Sequence, residues 1–342
     1  MLILIHTDDF LLTCKSASLR KMFLDDLSKH IKFRNLGPAK QFLGIAIDYN
    51  KEEGILKLSQ AHYLKSILDQ YMVTEFGWEP DDMNPRDTPM QDTKLTSILA
   101  PKDDRERRRM SKLPYREIVG KLMYLMLGTR PDIAFAVGVL CRYGADPAEK
   151  HWAYLRHLLR YLIGSMNYGL VYTRNASDHN FVTYCDSDWA GDVATKRSTG
   201  GFVVLVGNTA VSWSSKIQHE VTKSTVEAEY TNASRTGSEI MWTRYFFEEI
   251  DKPSIGPSIL YMDSDSAKKI VINPEKQTTM KHVHRNYHWI REKVEQKLIK
   301  VEHVAGSRNP ADIFTKPLGK TLFERFRDML GVKHITPPTP DS

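Results

Sequence analysis

Apolar runs that stop at carboxylates are the clearest pattern in the second half of the chain. One run predicts a strand at 181–185; Asp186 follows it immediately, and Asp188 lies two residues further on. Another run predicts a strand at 259–262, and Asp263 comes directly after it. Because a strand that ends in acidic residues presents them at one edge of a sheet, these positions are candidates for a metal site. An acidic turn exposed to solvent would give the same local pattern.

A long helix is predicted at 224–249, between these two strands. Its inward face carries Val226 and Ala233, and Glu229 falls between them on that face. Glu227 points away, so we interpret it as a solvent-side or capping residue. Glu229 is therefore the helical carboxylate that can join the acids of the strands.

Asp312 completes the series of acids. It lies in the first turn of a helix predicted to begin at Asn309, where the helix dipole favours negative charge. Acids in the order strand, helix, strand, helix can converge at one end of a sheet, and here they are Asp186, Glu229, Asp263 and Asp312. Ligand sets made only of oxygen favour Mg²⁺ or Mn²⁺ over zinc. Asp188 remains a possible partner of Asp186, and Asp265 is expected to cap a short helix.

The remaining pattern of the second half predicts one domain at 180–332. Its further strands and helices are expected at 201–206, 210–213, 266–272, 287–297 and 299–304. Three early strands followed by alternating helices and strands predict an α/β fold, with a mixed sheet flanked by helices. The polar loop before residue 180 is the predicted boundary, so the domain is expected to fold alone. A loose tail is expected at 333–342.

The first half opens with a predicted hairpin that carries Asp8 and Asp9 at its tip, an arrangement that is often only a turn. The segments after the hairpin are predicted as a helix at 60–71, a linker with little regular structure at 76–112, and a helical connection at 113–174.

Composition adds limits on environment and partners. The 342 residues suffice for two modest domains, and a formal charge of +6 suits a polyanionic partner, although an ordinary basic surface would look the same. The three cysteines have no disulfide or metal-binding spacing, which fits a reducing compartment. No apolar run is long enough for a bilayer, and the opening residues lack the features of a signal peptide. We therefore expect an intracellular protein, cytoplasmic or nuclear, without membrane contact.

Short motifs in the second half follow one another in a recognisable order: DSDWAGD at 186–192, RSTGG at 197–201, SWSSK at 212–216, STVEAEY at 224–230, KH at 281–282 and ADIFTKPL at 311–318. Together they resemble the ribonuclease H domain of copia-type retrotransposon polyproteins. NLG at 35–37, FLGI at 42–45 and LSQ at 58–60 resemble the reverse transcriptase of the same elements. TRPDIA at 129–134 and RYL at 160–162 resemble the stretch that joins the two enzymes.

The reverse transcriptase resemblance implies a truncated palm and thumb remnant at 1–75, in which Asp8 and Asp9 are the metal-binding pair. His6 stands where the family has an aromatic residue. Such a polymerase also needs an upstream third carboxylate, which this chain does not contain, so we expect no polymerase activity. The missing amino-terminal part of a polyprotein is a possible partner, and the sequence does not indicate an oligomeric state.

The ribonuclease H resemblance implies hydrolysis of the RNA strand of RNA–DNA hybrids with two Mg²⁺ or Mn²⁺ ions. Asp186, Glu229, Asp263 and Asp312 would be both the catalytic residues and the metal ligands. Candidate contacts to the 2′-hydroxyl and to phosphates are Ser187, Thr225, Asn309, Lys216, Lys223, Lys281 and Arg285. His303 is interpreted as a structural residue of the preceding strand, and His282 and His284 as surface or hybrid-contacting residues.

Two other functions fit parts of the sequence. A non-catalytic nucleic-acid-binding remnant of a decayed element would explain the incomplete polymerase, but four retained carboxylates argue against decay of the second site. An integrase-type transferase shares the sheet but generally uses fewer core acids. The late Asp312 favours the ribonuclease.

Overall fold

The secondary structure is known for residues 1–72, 84–92, 100–174, 180–272 and 289–336, which the computed structural model describes. The strands are β1 Leu2–His6, β2 Asp9–Thr13, β3 Gln41–Phe42, β4 Ile45–Asn50, β5 Ile55–Ser59, β6 Tyr168–Thr173, β7 Phe181–Ser187, β8 Thr199–Val206, β9 Thr209–Ile217, β10 Ser258–Met262, β11 Ile299–His303 and β12 Val332–His334. The α-helices are α1 Ala17–His30, α2 Ala61–Met72, α3 Asp104–Met110, α4 Tyr115–Gly128, α5 Ala134–Cys141, α6 Glu149–Gly164, α7 Thr225–Glu249, α8 Asp265–Ile272, α9 Trp289–Glu295 and α10 Lys320–Met329.

A mixed five-stranded sheet forms the centre of the second half, in the order β11-β10-β7-β8-β9. Within this sheet, β8 is antiparallel to both β7 and β9, whereas β10 runs parallel to both β7 and β11. This is the strand order of a ribonuclease H-like fold, so the predicted fold class is confirmed.

The two faces of this sheet bury different partners, because side chains alternate along each strand. One face carries Phe181, Leu260 and Val301, which pack with the buried residues of α7, α8 and α9. The inward face predicted for the long helix is confirmed, since Ala233 and Ile240 belong to this core. The opposite face packs against the helices that precede the sheet and against α10.

A second five-stranded sheet, in the order β12-β6-β5-β4-β3, combines three distant parts of the chain. Strand β6 pairs with β5 on one side and with β12 on the other, and all these pairings are antiparallel. The tail predicted from residue 333 is wrong at its start, because Lys333 and His334 belong to a paired strand. The predicted domain boundary before residue 180 stays a prediction, although both the sheet and a hydrophobic core extend across it.

The predicted linker contains regular structure, which corrects the expectation for 76–112. Asp103 caps α3 by accepting a hydrogen bond from the backbone N–H of Glu106, and Met110 is buried at the other end. Two arginines of the charged run form ion pairs, Arg107 with Asp146 and Arg109 with Glu149. The charged run that predicted a solvated linker therefore caps a short helix and links it by ion pairs to Asp146 and Glu149.

The helix predicted from Asn309 is also different from the structure. A 3₁₀ helix spans Pro310–Phe314, and α10 begins only at Lys320. Pro317 lies between them and has no backbone N–H to continue the first helix. Asp312 still occupies a first helical turn, as predicted.

The predicted hairpin at the start of the chain is confirmed, with a turn at Thr7 and Asp8 between β1 and β2. Both strands are largely exposed, and among the strands that the structure describes they pair only with each other. Within the described ranges, no helix combines the length and apolar character needed to cross a membrane.

Candidate active site

Three aspartates converge at one edge of the mixed sheet. Asp186 is the last but one residue of β7, and Asp263 directly follows β10. These strands are parallel neighbours, so their carboxyl ends meet at the same edge. Asp312 approaches from the 3₁₀ helix, which packs against β7 and β8. One carboxylate oxygen from each aspartate lies within 4.8 Å of the others.

Glu229 lies beside this trio, on the buried face of α7. One of its oxygens, Oε1, accepts a hydrogen bond from the backbone N–H of Ser187 at 3.2 Å. Its other oxygen is buried and has no hydrogen-bond partner among the described residues. Burial, and then the charges of Asp186 and Asp263, raise the pKa of Glu229 well above its ordinary value. The Glu229 carboxyl group is therefore close enough to interact with the charges of the aspartates, as the choice of Glu229 over Glu227 predicts.

The negative charges of the cluster are not fully neutralised, and the pKa values of its other carboxyl groups are raised as a result. Burial and then the charge of Asp186 raise the pKa of Asp312 to about 7. The pKa of Asp263 is raised by the same two causes. Two buried oxygen atoms at the site, Glu229 Oε2 and Asp312 Oδ1, have no hydrogen-bond donor in the part of the chain that the structure describes. An all-oxygen donor set with unpartnered acceptors fits Mg²⁺ or Mn²⁺.

Two side chains that sequence reasoning did not assign to the site also touch the aspartates. The hydroxyl of Thr315 donates a hydrogen bond to Asp186 Oδ2. The ammonium group of Lys316 lies 2.9 Å from Asp312 Oδ2 and 3.9 Å from Asp186 Oδ2. Both residues belong to the ADIFTKPL motif, so the signal was present in the sequence, but only their position relative to Asp186 reveals the contact.

Glycine at position 201 lets the 3₁₀ helix approach the sheet. Gly201 lies opposite Asp186 in the register of β7 and β8. A Cβ atom there would come within 2.6 Å of the Cβ of Phe314 and within 3.2 Å of the carbonyl oxygen of Ala311. The side-chain amide of Asn232 closes the same corner, donating to the carbonyl oxygens of Asp186 and Gly201 at 2.6 and 2.9 Å.

Comparisons with known proteins find similar sequences along nearly the whole chain. A family model described as reverse transcriptase (RNA-dependent DNA polymerase) matches residues 1–91. The Pol polyprotein of transposon TNT 1-94 from Nicotiana tabacum is 35% identical over 97% of this chain, and that of transposon RE1 from Arabidopsis thaliana is 33% identical over 98%. An uncharacterized mitochondrial protein of Arabidopsis thaliana is 36% identical, over 71% of this chain and 94% of its own length.

The chain belongs to the copia-type retrotransposon Pol family. It spans about a quarter of the length of the two Pol polyproteins, 24% and 22%. Among solved structures, LC11-RNase H1 in complex with RNA/DNA hybrid is similar with a TM-score of 0.31 and 17% identity, over 40% of this chain and 94% of that one. The ribonuclease H-like fold of this Pol segment is assigned from its own strand order.

Several acids near the site of this Pol segment have structural contacts of their own. Asp188 accepts a hydrogen bond from the backbone N–H of Thr199, and burial is the main cause that raises its pKa to about 6. Glu227 accepts one from the backbone N–H of Lys223 at 2.7 Å, which confirms its interpretation as a capping residue. Asp265 does not cap α8, because the hydroxyl of Ser264 accepts the hydrogen bond from Ala267 instead.

Two predicted substrate contacts are occupied within the protein. Ser187 is buried, and its hydroxyl accepts a hydrogen bond from the side chain of Gln218 at 3.0 Å. Asn309 is fully buried; it donates to the carbonyl oxygen of Cys185 and accepts from the backbone N–H of Ala311. Neither side chain reaches a surface where a hybrid could bind, so the structure gives both a supporting role.

The other predicted contacts lie at the surface or outside the described residues. Lys216, Lys223 and Thr225 are exposed. Lys281 and Arg285 lie outside the described residues, as do His282 and His284. His303 ends β11, as predicted, and its Nε2 lies 3.2 Å from the carbonyl oxygen of Asp263. Asp8 and Asp9 lie at the exposed tip of the first hairpin.

Proposed function

We propose that the second half of this chain is a metal-dependent ribonuclease that cleaves the RNA strand of RNA–DNA hybrids. The observation that carries the proposal is the convergence of Asp186, Asp263 and Asp312 within 4.8 Å, with Glu229 beside them, at the edge of a sheet with ribonuclease H strand order. A cluster of this charge is costly without cations, which supports a role in binding them.

The chain's own residues would hold and orient the reacting groups. Asp186, Glu229, Asp263 and Asp312 would bind two Mg²⁺ or Mn²⁺ ions, which would supply an activated water and neutralise charge on the phosphate and the leaving oxygen. The hydroxyl of Thr315 fixes one oxygen of Asp186, and the backbone N–H of Ser187 fixes one oxygen of Glu229. These contacts preorganise the carboxylates, so that little reorganisation is needed when substrate binds.

Hybrid recognition is proposed from exposed polar residues and from the charge of the whole chain. Lys216, Lys223 and Thr225 are exposed, and the chain has a formal charge of +6. Binding through phosphates predicts an affinity that falls with salt concentration.

The test is a cleavage time course on a labelled RNA–DNA hybrid, with Mg²⁺ and with a chelator. We expect Asp263→Asn to lower the rate by on the order of 10²–10³ or more, because it removes a negative metal ligand while keeping the side-chain shape. Asp265→Asn is the matched control, since that aspartate is exposed and lies two residues away. Its rate should equal that of the parent.

A folded Asp263→Asn protein that cleaves at the parental rate would refute the proposed site. Binding of hybrid by the parent without any metal-dependent cleavage would favour the non-catalytic remnant instead.

We also propose that this chain does not extend a primer. Among the described residues, no third acid joins Asp8 and Asp9 in a potential metal cluster. A primer-extension assay on a homopolymer template should therefore show no synthesis. Template-dependent products from the purified chain would contradict this expectation.

A further inference from the structure

The side chain of Lys316 places a positive charge inside the acid cluster. Its ammonium group contacts Asp312 at 2.9 Å and lies 3.9 Å from Asp186. A cationic side chain of the protein therefore lies beside two of the carboxylates that would bind divalent ions. The side chain is 44% exposed, so solvent is directly accessible to an ammonium group that moves out of the cluster.

The local structure explains why Lys316 reaches this position. Residues 310–314 form the 3₁₀ helix, and the side chain four residues after Asp312 turns back toward it. Thr315 anchors the preceding position, because its buried hydroxyl donates to Asp186. Pro317 prevents the helix from continuing. Lys316 therefore lies at the end of a short segment that the Thr315 hydrogen bond and Pro317 constrain.

We infer that Lys316 is an internal counter-cation that competes with metal ions for the acid cluster and so sets the metal concentration that the site requires. The inference rests on the proposed function, since it takes the cluster to be a metal site. A divalent ion between Asp186 and Asp312 would be repelled by an ammonium group only a few ångströms away. Metal loading therefore requires Lys316 to withdraw from Asp312, which makes it a positioning residue.

The test measures Mn²⁺ binding by titration calorimetry on the full chain. Lys316→Met removes the competing charge and keeps an unbranched side chain. We expect it to bind Mn²⁺ about tenfold more tightly than the parent, because one like charge is lost close to the ion. Lys316→Arg keeps the charge and should bind as the parent does.

Lys320→Met is the matched control, because it makes the same substitution four residues further on. Lys320 pairs with Asp87 at 3.1 Å, outside the acid cluster. Its Mn²⁺ affinity should be parental. A purely structural role for Lys316 would lower stability without tightening metal binding, so the calorimetric result separates the two roles.

The rise in melting temperature on adding Mn²⁺ provides a second readout. Ligand that binds the native state stabilises it in proportion to the logarithm of its concentration over Kd, so the rise should be larger in Lys316→Met than in the parent. If Lys316→Met does not fold without metal, Lys316→Gln carries the same comparison. Equal or weaker Mn²⁺ binding by the charge-free variant, with a parent that does bind, overturns only this inference. A parent that binds no Mn²⁺ overturns the proposed function and this inference with it.

Discussion

Single contacts decide which of two neighbouring acids belongs to the site. Glu229 faces Asp186 and Asp263, whereas Glu227, one half-turn earlier, is used to cap the helix. Asp263 is near Asp186, whereas the exposed Asp265 only begins α8. In both cases the two acids carry the same carboxyl group but point in different directions. The direction that the backbone gives each side chain therefore decides which acid belongs to the site.

The raised pKa of Asp312 predicts a pH-dependent stability for the metal-free protein. Its pKa in the folded protein is about 7, above the ordinary value, so the folded state retains a proton that the unfolded state has released. This contribution to stability is fully present below the unfolded pKa and is lost as the pH rises through about 7. We expect the melting temperature in chelator to decrease over this interval, and to decrease less in Asp312→Asn.

Differential scanning calorimetry of the two proteins across this interval provides the measurement. Comparing the two proteins removes the pH dependence of groups outside the acid cluster. Parallel curves for parent and Asp312→Asn would show that this carboxyl does not titrate in the range.

At the scale of elements, α7 serves both as a layer of the core and as the support of Glu229. Two hydrogen bonds cap its first turn. The hydroxyl of Ser224 accepts one from the backbone N–H of Glu227, and the carboxylate of Glu227 accepts one from the backbone N–H of Lys223. Such reciprocal capping satisfies donors that the helix itself cannot. Loss of the cap should therefore lower the stability of the helix more than it affects the catalytic role proposed for Glu229.

Glu227→Ala is expected to lower the free energy of unfolding by about 1 kcal/mol and to leave hybrid cleavage near the parental rate. Glu229→Gln should do the reverse, losing cleavage without losing stability, because it removes a buried negative charge from a repulsive cluster. Urea denaturation and cleavage assays on the same preparations test the pair. A folded Glu227→Ala protein without cleavage would contradict the division of roles.

At the scale of the whole molecule, the helices before the ribonuclease H-like sheet cover one of its faces. Val203, Leu205 and Ala210 of that sheet belong to one hydrophobic core with residues of the preceding helices, such as Leu140 and Leu158. Strand β12 also returns to pair with β6, before the predicted boundary. The ribonuclease H-like sheet therefore depends on the preceding chain for the burial of one face, and β12 depends on it for strand pairing in the second sheet.

We expect a fragment of residues 180–336 to be much less stable than one of residues 100–336. The shorter fragment exposes one sheet face, and each large apolar side chain that loses its burial costs about 1.5–3 kcal/mol. Thermal melts and binding of a hydrophobic dye compare the two fragments with the full chain. A shorter fragment that melts at the temperature of the full chain would instead support the independent domain predicted from residue 180.

The sequence by itself determined the order of strands and helices along the second half, and it placed three of the four carboxylates at strand ends or on a helix face. Local periodicity carries this information, because a buried strand or an inward helix face needs apolar residues at fixed spacing. Asp186 and Asp263 could be placed together since both end strands, and Glu229 since it shares a face with Ala233.

Only the tertiary structure decided what surrounds those carboxylates. The burial of Ser187 and Asn309, the contact of Lys316 with Asp186, and the pairing of β12 with β6 all join residues far apart in the chain. Periodicity describes which way a side chain faces within its own element, but not which element will cover it. Which element covers a side chain is decided by packing of the whole molecule. Packing brings Lys316 beside two aspartates of the site, and it buries Ser187 and Asn309 beneath the site instead of exposing them to substrate.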